Sequence, residues 1–226
     1  MRLNKNGKGL LAFLFGWFCI VFVLIASIRL VAFDQDLYAS FYREEELAKE
    51  LDVSQEVLEK RLFSLLDYIQ NRQEGVDPIF NEREVMHMKD VQRLYVRAIW
   101  VQRVCCMGAF LIVFWFFKSE KYAMSYLARG MLQASFCFLV GFCMIAFWAY
   151  TDFSDFWYRI HSLFFTNDLW LLNPNTDFMI LLCPEELFVK LTLGASFTFL
   201  SVFFALNGGS AWFLWKKSVI GFDKMD

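Results

Sequence analysis

Apolar residues gather into long uninterrupted runs at residues 10–32, 98–117, 130–150 and 191–215, separated by polar segments of unequal length. Each run is long enough to cross roughly 30 Å of hydrocarbon as a helix. The pattern therefore predicts an all-α integral membrane protein with four transmembrane helices. Arg2, Lys5 and Lys8 precede the first run as in a secretory signal, but the run is too long for one and no small-residue cleavage site follows, so it is expected to stay as an anchor.

The connecting segments set the expected orientation. Basic residues lie close to the ends of the runs at Arg2, Lys5 and Lys8, at Lys118, Lys121 and Arg129 in segment 118–129, and at Lys216 and Lys217 in tail 216–226. The positive-inside rule places these ends in the cytoplasm, with both termini, and puts residues 33–97 and 151–190 outside. Segment 33–97 also carries basic residues, but loops of about 60 residues or more count little in that rule.

Within 33–97 the hydrophobic period changes. After Arg43-Glu-Glu-Glu, the residues Val57, Leu58, Leu62, Leu65, Leu66 and Ile69 recur at helical spacing between charges, predicting an amphipathic helix over 54–72 with Asp52 or Ser54 as cap and Gly75 at its end. Such a helix needs a partner for its apolar stripe, so the segment reads as a small helical extracellular cap joined to the outer part of helix 2. Its charges read as a solvated face. Past Asp77-Pro78, the sequence Asn81-Glu-Arg-Glu84 has the reciprocal pattern of a capping box. A helix starting at Glu82 meets no breaker before Lys118 and would run roughly 50 Å into the second span. Along its outer part Glu84, His87, Asp90 or Val91, and Leu94 share a face, so Glu84 or Asp90 can orient the His87 ring. Arg93, Arg97 and Arg103 follow, suited either to snorkelling toward head groups or to meeting an anionic lipid or substrate group.

Segment 151–190 is dense in Phe153, Phe156, Trp157, Tyr158, Phe164, Phe165, Trp170 and Phe178. Either these form an aromatic belt at the membrane boundary or they line an apolar recess for an acyl chain with His161 among the rings. Asn173-Pro174-Asn175-Thr176-Asp177 reads as a turn, and Pro184-Glu185-Glu186 as the start of the last helix.

Composition agrees with the membrane reading: 58% of residues are apolar and 19% aromatic, and the net charge of −2 adds nothing to it. Cys19, Cys105, Cys106, Cys137 and Cys143 lie in or beside spans and only Cys183 lies outside, which argues against a disulfide framework and leaves Cys183 as an isolated candidate nucleophile. No metal-binding HExxH or Cys-x-x-Cys spacing, nucleophile elbow, phosphate-cradling loop or basic nucleic-acid patch occurs, so no metal, cofactor or nucleic-acid partner is expected. The chain has only two histidines, His87 and His161, both in segments assigned to the outer side. Two imidazoles on one face point to proton transfer at a lipid interface.

The stretches Asn81-Glu-Arg-Glu-Val-Met-His87-Met-Lys-Asp90-Val and His161-Ser-Leu-Phe-Phe-Thr-Asn-Asp168-Leu-Trp170-Leu-Leu-Asn-Pro174-Asn-Thr-Asp177-Phe-Met-Ile-Leu-Leu-Cys-Pro184 resemble the lipoprotein intramolecular transacylase family of Gram-positive bacteria, and the resemblance extends over essentially the whole chain. It implies four transmembrane helices with an extracellular cap, residence in a bacterial cell membrane, and a catalytic histidine pair, here His87 and His161. Glu84, Asp90, Asp168, Trp170 and Asp177 are candidate supporting or substrate-binding residues. The implied reaction moves the sn-2 acyl chain of a diacylglyceryl lipoprotein to the α-amino group of its N-terminal cysteine, leaving an N-acyl, S-monoacylglyceryl lyso-form. The implied partners are such lipoproteins and membrane lipids.

That chemistry suits a chain without a nucleophilic triad, because the substrate supplies the nucleophile. The attack closes a medium-sized ring, so orientation alone is worth on the order of 7 to 11 kcal/mol. An imidazole is matched to deprotonating an α-ammonium, and activity is then expected to fall below about pH 6. A neighbouring carboxylate, Glu84 or Asp90, favours His87 as base and His161 as acid or oxyanion partner, with an acyl-histidine intermediate as a further route. The competing reading is a non-catalytic membrane protein whose cap binds a lipid or partner protein through pH-sensitive histidines.

Overall fold

The computed structural model describes residues 4–222; Arg2 and residues 223–226 of the expected tail lie outside the described residues. The described chain runs α1 (Lys5–Ala32), α2 (Gln35–Glu44), α3 (Leu47–Glu50), α4 (Gln55–Ile69), α5 (Glu82–Ser119), α6 (Ala123–Thr151), α7 (Phe153–Phe164), α8 (Phe178–Leu182) and α9 (Glu185–Phe222), with no strand among the described residues. Helices α1, α5, α6 and α9 are long and apolar enough to cross a membrane. The chain divides into two compact units.

One unit takes the described residues of Met1–Ser27, Trp100–Phe147 and Ser196–Asp226. Its helices are apolar almost all round, so burying apolar surface does not decide which faces meet; close packing does. Helices α1 and α6 touch backbone to backbone through Ala12, Gly16, Gly130 and Ala134, where a Cβ placed on Gly130 would lie 2.1 Å from the Ala12 carbonyl oxygen. Aromatic rings fill the adjoining space, with Phe138 packed on Phe199 at 5.3 Å between centroids and on Trp17 at 6.1 Å. Lys8 pairs with Glu120 at 2.7 Å, tying α1 to the residue that follows α5.

The other unit takes Ile28–Ile99 and Trp148–Ala195, so the two long segments between the apolar runs fold into one body. Its core joins Leu58, Leu62, Leu65, Leu66 and Ile69 of α4 to Tyr38, Phe41 and Tyr42 of α2, Met88 of α5, Met179 and Leu182 of α8, and Leu187 of α9. The stripe expected on α4 finds its partners, except that Val57 is exposed. The Ser54 hydroxyl caps α4 by accepting from the Val57 amide at 3.3 Å. The helix stops at Ile69, before Gly75: Asn71 takes a left-handed φ of 64°, which asparagine tolerates, and the Arg72 amide bonds back to the Asp67 carbonyl at 2.9 Å. Helix α2, absent from the sequence-based expectations, is capped by Asp34 and buries Tyr42, whose hydroxyl donates to the Leu182 carbonyl at 2.9 Å.

Gly130→Ala is expected to destabilise the protein by about 1–3 kcal/mol, because the neighbour of the new methyl is α1 backbone that cannot rotate away. Gly141→Ala, on the same helix with nothing within 4 Å of its would-be Cβ, should be neutral or stabilising by up to about 1 kcal/mol. Thermal melting in detergent compares the two, and equal melting temperatures would contradict the close-approach account.

Candidate active site

The site begins at the capping box. Asn81 Oδ1 accepts from the Glu84 amide at 3.1 Å, and Glu84 Oε2 accepts from the Asn81 amide at 2.7 Å. Glu84 goes further than the local pattern requires. Its other oxygen accepts from the amide of Met179 in α8, whose own N-cap residue, Asp177, makes no side-chain capping bond. A fully buried carboxylate thus serves two helix N-termini, where orphan amides and helix dipoles favour it. Asp177 instead binds across the sequence gap: it accepts from Asn81 Nδ2 at 2.7 Å and from the Asn173 amide at 2.6 Å. The Asn173 amide, against an opposing desolvation, and then the Asn81 and Thr176 side chains hold its carboxyl below the usual carboxylate range.

One turn beyond Glu84, α5 carries His87, buried at 5% exposure. His161 stands on α7, which Asp152 caps through the Asp155 amide at 2.9 Å. The His161 Nδ1 lies 2.9 Å from the Trp157 carbonyl one turn back. A carbonyl only accepts, so Nδ1 carries the hydrogen and the lone pair of the neutral ring sits on Nε2. The two imidazoles have centroids 6.2 Å apart at 37°. Aromatic rings surround them. Trp170 stacks on His161 at 5.1 Å and 30°, and Trp157 meets it edge-on at 4.7 Å. Phe165 contacts both histidines, at 5.2 Å from His87 and 5.7 Å from His161.

This apolar enclosure disfavours imidazolium. Desolvation, and then the neighbouring His161, push His87 down to about 4, with Asp90 opposing and Arg83 adding to the fall. Desolvation also lowers His161, against the Trp157 carbonyl bond, which supports the charged form. At neutral pH the site presents two neutral imidazoles.

The expectation that Glu84 or Asp90 orients His87 does not hold. Glu84 is engaged by the Asn81 and Met179 amides, and Asp90 accepts from Arg93 at 2.8 Å and from Asn167 at 2.9 Å. His87 Nδ1 is buried with no hydrogen-bond partner among the described residues. Trp170 belongs to the site by its stacking, whereas Asp168 contributes its backbone carbonyl, which accepts from Arg83. Burial pushes the Cys183 thiol up to about 12, so it is a packing residue and not a thiolate nucleophile. Among the described residues no group of three or more His, Cys, Asp and Glu side chains is placed to hold a metal ion.

Arg103 lies over the Trp100 ring at 5.6 Å, and Arg93 is paired with Asp90. The sequence pattern places Trp157 among the rings of a belt or an acyl recess without pairing it to His161, and marks neither Arg83 nor Asn167. Trp157 was within reach, since the Asp152-Phe-Ser-Asp155 start of a helix makes Trp157 and His161 an i, i+4 pair. Nothing local marks Arg83 or Asn167, whose partners lie 85 and 77 residues away.

Glu84→Gln leaves one of the two amides without an acceptor, because the new carboxamide NH2 cannot accept. The expected cost is about 1–3 kcal/mol in thermal or denaturant unfolding, and an unchanged stability would refute the double cap. Imidazole 15N NMR reads the pair directly, since the chain has only two histidines and His161→Asn assigns them. His161 should show the Nδ1–H tautomer, and His87 should titrate near 4, well below the ordinary 6.5. Between these values the unfolded chain holds a proton that the folded one does not, so His87 makes stability fall as pH drops from about 6.5 to about 4. A His87 midpoint at or above 6.5 would contradict the enclosure.

No curated protein matches the chain. Among solved structures, the membrane-integral lipoprotein intramolecular transacylase Lit from Bacillus cereus matches with a TM-score of 0.71 at 16% identity, covering 99% of this chain and 100% of that one. Structures of that protein with one histidine replaced by alanine or by arginine each give 0.74 at 16% identity, covering 95% of this chain and 96% and 95% of theirs. At that identity the likeness establishes the fold, a membrane-integral helical one. The sequence profile of the family adds what the fold alone does not: it matches residues 13–188, most of the chain, which therefore belongs to the lipoprotein intramolecular transacylase Lit family of membrane acyltransferases.

Proposed function

We propose that this enzyme transfers the sn-2 acyl chain of a diacylglyceryl lipoprotein to the α-amino group of the same molecule's N-terminal cysteine, with His161 as general base and His87 as the neutral donor to the reacting oxygens. The observation that carries the reading is the tautomer and placement of His161: its Nδ1–H is fixed on the Trp157 carbonyl, and the ring stands 6.2 Å from the only other imidazole. A tetrahedral carbon with its substituents can bridge that separation.

The amine nitrogen attacks the ester carbonyl carbon and gives up a proton to His161 Nε2. The C–N bond forms while the carbonyl oxygen gains negative charge, which a neutral His87 N–H can stabilise without itself ionising. Collapse breaks the bond from carbon to the glyceryl oxygen, and the proton held by His161 passes to that oxygen, leaving both imidazoles neutral again. The product carries an amide on the cysteine nitrogen and a free hydroxyl on the glyceryl group. Lowered imidazole basicity is consistent with these roles, since a buried ring that stays neutral is available both to accept and to donate. The acid limb of activity accordingly belongs lower than the pH of about 6 suggested by an unperturbed histidine.

The same reading places the membrane spans at 10–32, 98–117, 130–150 and 191–215, with the termini in the cytoplasm and the histidines outside. Lys5, Lys8, Lys118, Lys121, Arg129, Lys216 and Lys217 all sit near span ends of the first unit, while the histidines are in the second.

His87→Asn and His161→Asn, each co-expressed with a diacylglyceryl lipoprotein, are expected to abolish the N-acylated lyso product, seen by mass spectrometry of the N-terminal peptide, while the variants still insert and fold. Undiminished product from both would overturn the proposal.

A further inference from the structure

The segment between α7 and α8 is fastened to α5 at points that bracket one residue, Trp170. Before it, Asn167 Nδ2 donates to Asp90 Oδ2 at 2.9 Å. On either side, Arg83 Nη2 donates to the carbonyls of Asp168 and Leu171, the latter at 3.2 Å. The indole nitrogen of Trp170 donates to the Asn167 carbonyl at 2.7 Å, so the ring is fixed to the same turn that Asp90 holds. Its face lies on His161, 5.1 Å between centroids. Arg83 and Asp90 touch neither the His161 ring nor, by the proposed chemistry, the reacting atoms. Yet both define where the turn sits.

We propose that Arg83 and Asp90 are positioning residues that aim the His161 ring by clamping Trp170 against its face. The Trp157 carbonyl fixes one ring nitrogen and the Trp157 and Phe165 rings meet the imidazole at its sides, while the stacked indole of Trp170 covers its face and so completes the restraint on Nε2. This inference rests on His161 acting as base. A misplacement of that nitrogen by about 1 Å is expected to lower kcat by about 100-fold with little change in KM.

Asp90 offers a way to separate position from charge, because its carboxylate also acts electrostatically on His87. Asp90→Asn and Asp90→Ala both remove the charge, but only Asp90→Asn keeps an oxygen for Asn167. Kinetics are measured on the purified full-length protein in detergent, with a synthetic peptide bearing S-diacylglyceryl cysteine at its N-terminus. Asp90→Ala, Arg83→Met and Trp170→Ala should each lower kcat by about 10- to 100-fold at nearly constant KM, with Asp90→Asn retaining most activity. The Arg83→Met/Trp170→Ala double variant should be no slower than Trp170→Ala, since the arginine acts through the indole. Multiplying losses in the double variant, an Asp90→Asn as slow as Asp90→Ala, a loss confined to KM, or full activity in Arg83→Met would each overturn the clamp. His161→Asn, run in parallel, tells the two readings apart: if it remains active the base assignment has failed, and if it is inactive while the clamp variants are not, only the clamp has.

Discussion

The placement of the paired histidines depends on one buried carboxylate, that of Glu84. Glu84 closes the capping box of α5 and at the same time accepts from the Met179 amide in the first turn of α8, a helix begun nearly a hundred residues later. Desolvating a carboxylate is costly, and what offsets it here is a pair of amide donors at two helix N-termini, where backbone dipoles already favour negative charge. Because both oxygens are committed, the start of α5 and the start of α8 have one permitted relation. His87 stands one turn from that joint on α5. Asp177, just before α8, adds a second tie through Asn81, so the segment carrying Trp170 leaves and returns at fixed points.

On this joint is built a site of low polarity. The histidines are walled by Trp157, Phe165 and Trp170, and that wall, more than any charged neighbour, sets their protonation. The arrangement differs from a triad in which a carboxylate supports imidazolium. Here a backbone carbonyl chooses the His161 tautomer, and among the described residues no carboxylate hydrogen-bonds to either ring. Such an enclosure favours uncharged imidazoles, each able to accept a proton at one nitrogen and to donate from the other.

The membrane-crossing helices obey another rule. Apolar side chains have no preference between lipid and protein, so contact specificity comes from where backbones can approach, as at Ala12, Gly16, Gly130 and Ala134. In the second unit, by contrast, amphipathic helices bury leucines and tyrosines as in water-soluble proteins, and capping residues such as Asp34 and Ser54 set their starts.

Sequence by itself determined what local periodicity and short-range bonds encode: four membrane-length helices, the start of α5 at Glu82, the Ser54 cap and leucine stripe of α4, the turn before Asp177 and the start of α9. It also singled out the two histidines, because they are scarce and lie in the two long segments between runs. What it missed has a shared cause. Helix α7 was hidden because its aromatic density resembles a membrane-interface belt, so Trp157 was not paired with His161. Glu84 and Asp90 were credited with orienting His87 from helical spacing alone, but spacing does not say which partner a carboxylate meets; the amide of Met179 and the side chain of Asn167, distant in sequence, took them. Tertiary structure alone decided the approach of the imidazoles, their burial and hence their lowered basicity, since desolvation is a property of the enclosing walls and those come from several separate parts of the chain.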